Sequence, residues 1–225
     1  VTGANVSVKL TDAFMQAAID GKPFVQQYPI DADEPLFKKE ISATDLWKKI
    51  VHNAWKSAEP GVLFWDTILR ESVPDCYADL GYRTVSTNPC VEIPLCPYDS
   101  CRLLAINLYS YVVNPFKPDA YFDFDLFKKH VALAQRIMDD IIDLELEKIE
   151  RIMAKIDSDP ENEDVKHTES VLWQKIYKKS GQGRRTGVGI TAEGDMLAAL
   201  GLRYGTEEAT EFAEKVHQTV ALSAY

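Results

Sequence analysis

At 225 residues and 46% hydrophobic content, the chain is long enough to bury a substantial core, as one large domain or two small ones. Its formal net charge of -10 argues against a general binder of nucleic acid or anionic membrane, because either needs a basic face, although Lys178, Lys179, Arg184 and Arg185 form a local basic patch. No run approaches the roughly 18 apolar residues of a membrane span and no signal-peptide pattern opens the chain, so a cytoplasmic location follows by default.

Residues 5–10 alternate in the strand sense, and Thr11-Asp12 can cap a helix over about 13–19 that ends at the Asp20-Gly21 turn. The opening reads as extended from its first residues without a starting Met, and the chain stops inside a helical pattern. Such ends point to a segment of something longer. A second extended run, about 24–29, leads into a charged loop and then a helix over about 44–57, with Leu46, Trp47, Ile50, Val51 and Trp55 at helical spacing. Residues 61–69 are apolar and ambiguous between strand and helix. A strand-like stretch at 82–86 is broken by Asn88-Pro89, since proline lacks an amide donor and turns its predecessor away from helix.

Residues 105–113 have strand character and end at Asn114-Pro115. The longest helix follows, capped by Asp123 or Asp125 and running over about 126–156. Its Val131, Leu133, Ala134, Ile137, Met138, Ile141, Ile142 and Leu144 predict a wide buried stripe, and its more charged second half predicts exposure. After an acidic loop come a helix at about 167–179, a Gly-rich passage into a short extended segment, and helices at about 192–200 and 206–224, separated at Gly201.

The four cysteines, Cys76, Cys90, Cys96 and Cys101, are too few for a disulfide scaffold and cluster in one segment. Within it, Ser86-Thr87-Asn88-Pro89-Cys90-Val91-Glu92-Ile93-Pro94-Leu95 sets an amide, a thiol and a carboxylate at alternate positions. In an extended loop these would face one side together. On spacing alone the plainer reading is favoured: a cysteine is a good small hydrophobe, and Asn-Pro or Glu-Ile-Pro is ordinary loop punctuation. The cysteine intervals do not match paired zinc-ligand spacing and no nearby histidine completes a set, so no metal site is assigned. Asp139, Asp140, Glu145 and Glu147 lack the Glu-x-x-His partners of a di-metal helix site. His52, His130, His167 and His217 are scattered and read as surface or satisfied core residues.

The segment Asn88-Pro89-Cys90-Val91-Glu92-Ile93-Pro94-Leu95, with Tyr98-Asp99-Ser100-Cys101 and Ala105-Ile106-Asn107-Leu108, resembles the active-site finger loop and following strand of ribonucleotide reductases. Gly183-Arg184-Arg185-Thr186-Gly187-Val188-Gly189-Ile190 resembles a downstream Arg-Arg-x-Gly segment of that family, and Asn5-Val6-Ser7-Val8 with Thr11-Asp12 an upstream strand and helix start. The resemblance therefore covers nearly the whole chain. It implies an α/β fold: residues 1–225 as part of a ten-stranded catalytic barrel, a central finger loop at about 86–96, and a long helical stretch at about 123–180.

The same resemblance implies that Cys90 becomes the thiyl radical that abstracts the ribose 3′ hydrogen. Glu92 would take the 3′-hydroxyl proton, Asn88 would orient the ribose hydroxyls with Ser86 also at the substrate, and Cys101 would be one of two cysteines that reduce the 2′ position and end as a disulfide. A thiol is a reversible hydrogen-atom carrier and a carboxylate a competent base near neutral pH. The implied activity is reduction of ribonucleotides, expected as diphosphates, to deoxyribonucleotides for DNA synthesis. Asn-Pro-Cys and Pro-Tyr-Asp-Ser-Cys look like the adenosylcobalamin-dependent branch, the alternative being a radical supplied by a di-metal partner subunit. Implied partners are the nucleotide, a dithiol reductant such as thioredoxin or a C-terminal cysteine pair, and a second copy in a homodimer, with neither nucleic acid nor membrane.

Two departures stand out. Many relatives carry Gly at the place of Val91, and often Cys-Asn-Leu-Gly where this chain reads Cys101-Arg102-Leu103-Leu104. Cys76 and Cys96 match no functional position. The family's other reducing cysteine, effector loops, phosphate-binding turn and shuttle cysteines are not found in these residues, so the fragment alone is not expected to turn over. A helical, non-catalytic relative that keeps the loop is the alternative reading.

Overall fold

The structure is a computed structural model that describes residues 3–30 and 32–225. The expected extension of residues 1 and 2, and residue 31 of the charged loop, lie outside the described residues. The chain divides into two compact units, Val1–Pro97 and Tyr98–Tyr225.

In the first unit, β1 (Ser7–Leu10) pairs in parallel with β4 (Gly61–Phe64), Ser7 opposite Gly61 and Leu10 opposite Phe64. Parallel neighbours need a long crossover. Here it comprises α1 (Asp12–Asp20), an antiparallel hairpin of β2 (Pro23–Tyr28) and β3 (Phe37–Ser42), and α2 (Ala43–Ser57). Thr11 caps α1 by accepting from the Phe14 N–H at 3.2 Å, and Gly21 closes it at φ 68°, where glycine carries no Cβ penalty. Leu10, Phe14, Ala43 and Ile50 form a buried core, with Phe24, Leu46 and Trp47 packed against it.

The charged stretch is not all loop. Its latter part is β3, whose Lys38, Lys39 and Glu40 pair through their backbones with β2 while their side chains stay exposed, so charge did not preclude a strand. Residues 61–69 divide between β4 and the start of α3 (Trp65–Glu71). A short antiparallel pair, β5 (Ser86–Thr87) and β6 (Pro94–Leu95), ends the unit.

The second unit is built on β7 (Leu103–Asn107) and β10 (Gly187–Thr191), parallel and in register from Leu103–Gly187 to Asn107–Thr191. Their crossover carries a hairpin, β8 (Val112–Val113) with β9 (Tyr121–Phe122), then α4 (Phe124–Ser158) and α5 (Glu163–Gly183). Helices α6 (Glu193–Ala199) and α7 (Glu207–Ala224) follow. Ile106, Leu108, Tyr111, Phe122, Phe127, Val131, Met196 and Val216 lie in one core.

Three expectations are corrected here. The strand over 105–113 breaks after Asn107, whose side chain accepts from the Tyr109 N–H at 3.0 Å and starts a 3₁₀ turn that buries Leu108 and Tyr111. The buried stripe of α4 is narrow: Val131, Ala134, Met138 and Ile142 are buried, but Leu133, Ile137, Ile141 and Leu144 are exposed. The charged second half of α4 keeps that seam, burying Ile149 and Ile156, and α5 packs along α4. A heptad-like spacing of 127, 131, 134, 138, 142, 149 and 156 suits one neighbouring helix rather than a broad core. Among the described residues no helix is long and apolar enough to cross a membrane.

Candidate active site

The expected finger loop occupies the end of the first unit and is anchored before it begins. Thr84 is buried; its N–H donates to Asp75 Oδ1 at 3.0 Å and its hydroxyl to Oδ2 at 2.5 Å, with Ser72 Oγ at 3.3 Å from Thr84 Oγ1. Burial by itself would raise the pKa of Asp75, but the hydrogen bonds from Thr84 and Ser72 outweigh it and hold the carboxyl below its ordinary value. Lys9 on β1 donates to the Val85 carbonyl at 2.6 Å and lies 3.6 Å above the Trp65 ring, and its partial burial lowers its pKa. The Val85 N–H reaches the Leu95 carbonyl at 2.9 Å, and the two short strands β5 and β6 continue from there.

Between them the chain turns. The Val91 N–H donates to the Asn88 carbonyl at 3.1 Å, closing a four-residue turn with Pro89 and Cys90 in the middle, and proline suits the second position of such a turn. The Asn88 N–H donates to the Ile93 carbonyl at 3.2 Å, and Asn88 Oδ1 accepts from the Ile93 N–H at 3.0 Å. Residues 88–91 are therefore not extended, and the alternation argument for a common face of Asn88, Cys90 and Glu92 does not apply to them. What the turn does is place Cys90 and Glu92 exposed near the tip, Asn88 half-buried at the neck, and Ser86 on β5 with its hydroxyl 3.4 Å from the Thr87 carbonyl. Val91 sits at φ 75°, a left-handed conformation that disfavours a β-branched residue. Glycine would carry no such penalty at this position.

Cys101 lies in the second unit, half-buried just before β7. Residues to which the sequence assigned no role at this site surround it. Asp99, whose side chain is 7% exposed, pairs with Arg185 at 2.7 Å. Arg102, 9% exposed, donates from Nε to Glu145 Oε2 at 2.5 Å, from Nη1 to the Arg185 carbonyl at 2.9 Å and from Nη2 to Ser180 Oγ at 2.8 Å. Ser180 is buried, and its hydroxyl donates a hydrogen bond to Glu145 Oε1 at 3.1 Å. A Cβ placed on Gly187 would stand 2.5 Å from the Arg102 carbonyl oxygen and 3.4 Å from Cys101 Sγ. No local pattern reveals such contacts, since Arg102 and Glu145 are 43 positions apart.

The two arginines of the basic patch are paired, Arg185 with Asp99 as above and Arg184 with Asp139 at 2.7 Å and Asp143 at 2.8 Å, which raises the pKa of Arg184 and, through the Arg184 hydrogen bond, lowers that of Asp139.

The family model for the ribonucleotide reductase barrel domain matches residues 2–225. The chain belongs to the ribonucleotide reductase family. It is 34% identical over 212 residues to a vitamin B12-dependent ribonucleoside-diphosphate reductase of Thermoplasma acidophilum, covering 94% of this chain and 23% of the relative. A protein of the same description from Mycobacterium tuberculosis is 28% identical over 222 residues, covering 98% of this chain and 27% of the relative. The chain thus spans about a quarter of the length of these curated relatives. Among solved structures, the class Id ribonucleotide reductase alpha subunit of Actinobacillus ureae superposes with a TM-score of 0.66 at 16% identity, over 98% of this chain and 34% of the other. That likeness bears on the fold alone, and it agrees with the expected α/β barrel portion.

Proposed function

We propose that the polypeptide containing this barrel portion reduces ribonucleotides to 2′-deoxyribonucleotides, with Cys90 as the hydrogen-atom carrier. The observation that supports it most is an exposed thiol at the tip of a hairpin cross-linked by the Asn88–Ile93 and Val85–Leu95 hydrogen bonds, inside a chain of this family. The curated relatives are named ribonucleoside-diphosphate reductases, which favours diphosphates as substrate.

In this reading the Cys90 thiyl takes the hydrogen from C3′, and the Glu92 carboxylate accepts the 3′-hydroxyl proton while the C2′ hydroxyl leaves as water with a proton from the cysteine pair. Cys101 and a second cysteine outside this chain then give a hydrogen atom to C2′ and an electron to the 3′ ketone, closing as a disulfide, while Glu92 returns its proton to the 3′ oxygen and Cys90 returns the hydrogen to C3′. Because Asn88 Oδ1 is committed to the Ile93 N–H, its NH₂ is the part that can donate to a ribose hydroxyl. Holding the thiol and base on one short turn supplies proximity. A dithiol reductant restores the cysteines between turnovers.

Adenosylcobalamin is the radical source that the names of these relatives favour. The group would supply a carbon radical able to take the hydrogen of an accessible thiol, and the exposed Cys90 fits that demand. No residue of this chain is assigned to hold the corrin.

The test uses the intact enzyme, adenosylcobalamin and a dithiol, reading deoxyribonucleotide formation with circular dichroism as a folding control. Cys90→Ser abolishes reduction, because an alcohol O–H is too strong to exchange its hydrogen atom with carbon. Glu92→Gln keeps the carrier and loses the base, lowering the rate by about 10²–10⁴. A folded Cys90→Ser enzyme that still reduces nucleotide would overturn the assignment, and a wild type that makes no deoxyribonucleotide would favour the non-catalytic reading.

A further inference from the structure

We infer that Arg102 is a positioning residue for Cys101, locking the thiol-bearing end of β7 to α4, α5 and the turn before β10 through a single guanidinium. The inference rests on the proposed role of Cys101 for its meaning in catalysis, but its geometry stands apart from that role. Each edge of the Arg102 fork meets a different element: Glu145 on α4, Ser180 on α5, and the Arg185 carbonyl beside β10. Glu145 and Ser180 are bonded to each other, so the three side chains close a ring in which the buried Ser180 hydroxyl both accepts and donates.

Two further contacts act on the same short segment. The Asp99–Arg185 pair fixes it two residues before the thiol, and the bare Cα of Gly187 lets β10 come against the Arg102 carbonyl and Cys101 Sγ. Cys101 is thus flanked on both sides by ion pairs, each with one side chain nearly buried, and is faced by the bare Gly187 of β10. Moving the Cys101 backbone requires breaking those ion pairs. A lysine at 102 carries one ammonium and cannot span three directions, so the planar fork is the feature that matters.

The experiment compares wild type, Arg102→Met, Arg102→Lys and Gly187→Ala in the intact reductase. Iodoacetamide labelling of each cysteine is followed by mass spectrometry, with exposed Cys76 as the reference for reagent and buried Cys96 as the reference for global loosening. Labelling of a half-buried thiol tracks local opening, so removing three charge-assisted bonds raises the Cys101 rate by about 10- to 100-fold in Arg102→Met. Arg102→Lys, which retains a charge toward Glu145, falls between. Gly187→Ala shifts the Cys101 rate with every charge in place, because its methyl cannot share space with the Arg102 carbonyl.

In turnover, Arg102→Met lowers kcat by about 10²-fold with KM within about twofold of wild type, the mark of a misplaced reactive group rather than lost binding. Unchanged Cys101 labelling in Arg102→Met overturns the inference, and so does a rise at Cys96 in step with Cys101. A wild-type enzyme that reduces no nucleotide refutes the activity reading instead, and the labelling comparison still decides on Arg102.

Discussion

Removing the Asp75 carboxylate should loosen the hairpin of residues 84–96 from its base. In Asp75→Ala the buried Thr84 loses the acceptors of both its N–H and its hydroxyl, and each donor left unmet inside the protein costs about 1–3 kcal/mol. Allowing for water reaching the space vacated, the loss is about 2–4 kcal/mol, a large share of the roughly 5–15 kcal/mol that stabilises a domain. Asp75→Asn retains one carbonyl oxygen for the Thr84 N–H and loses only the charge-assisted part, about 1–2 kcal/mol. Hydrogen exchange over residues 84–96 reads the effect locally: protection at the hairpin falls by about 30- to 10³-fold in Asp75→Ala, with little change in the second unit. The pH dependence gives an independent check. Because the folded carboxyl is held below its ordinary value near 3.9, its contribution is fully present above that pH and is lost as pH falls through the folded pKa. The wild-type hairpin therefore loses protection on acidification and the Ala variant does not show that component. Equal exchange rates in wild type and Asp75→Ala at neutral pH would refute the reasoning.

At the loop tip, Val91→Gly should be more stable than Val91→Ala by about 1 kcal/mol in urea unfolding, the reverse of the usual order, because only glycine relieves the positive φ; Ala at least as stable as Gly would show that no strain is stored there. In the second unit, burial raises the pKa of Tyr111, so its contribution is full below the ordinary tyrosine value near 10 and is lost as pH rises through the folded one. Circular dichroism alongside tyrosinate absorbance should show this alkaline loss in wild type and not in Tyr111→Phe, which gives up the 2.9 Å bond to His130 Nδ1; the same alkaline midpoint in both would exclude Tyr111 as its cause.

Much of the fold was legible because local chemistry decides it. Thr11 and Gly21 bracket α1, Asp123 caps α4, and Thr206 caps α7, each by the side-chain or left-handed geometry its residue type favours. Two of the misreadings come from distant partners, and one from a side chain that captures a neighbouring N–H. Residues 37–42 look like charged loop until β2 supplies a backbone ladder. Residues 108–111 have the composition of a strand, but Asn107 captures the Tyr109 N–H and turns Leu108 and Tyr111 into the core. On α4, periodicity marks every apolar position and cannot tell which neighbour exists, so Leu133 and Met138 look alike although one is exposed and the other buried.

The candidate site shows the same division more sharply. Residue types at 88, 90 and 92 were enough to single out an amide, a thiol and a carboxylate, yet the geometry that joins them came from a turn and not from strand alternation. A turn makes a stronger case for a fixed thiol than an extended loop does. An extended segment has no bonds of its own and takes its shape from what packs on it, whereas the 88–93 turn carries three internal hydrogen bonds and rests on the Val85–Leu95 rung. It also splits Asn88 into two halves: the oxygen holds the loop closed, and the NH₂ is the half proposed to donate to a ribose hydroxyl. The cost appears at Val91, which must adopt a conformation its side chain resists, and a strained residue beside a reactive one is tolerated only where the surrounding bonds over-determine it. Arg102 is the counterpart in the second unit: with Glu145 and Ser180 in place, its guanidinium ties the residue after Cys101 to α4 and α5.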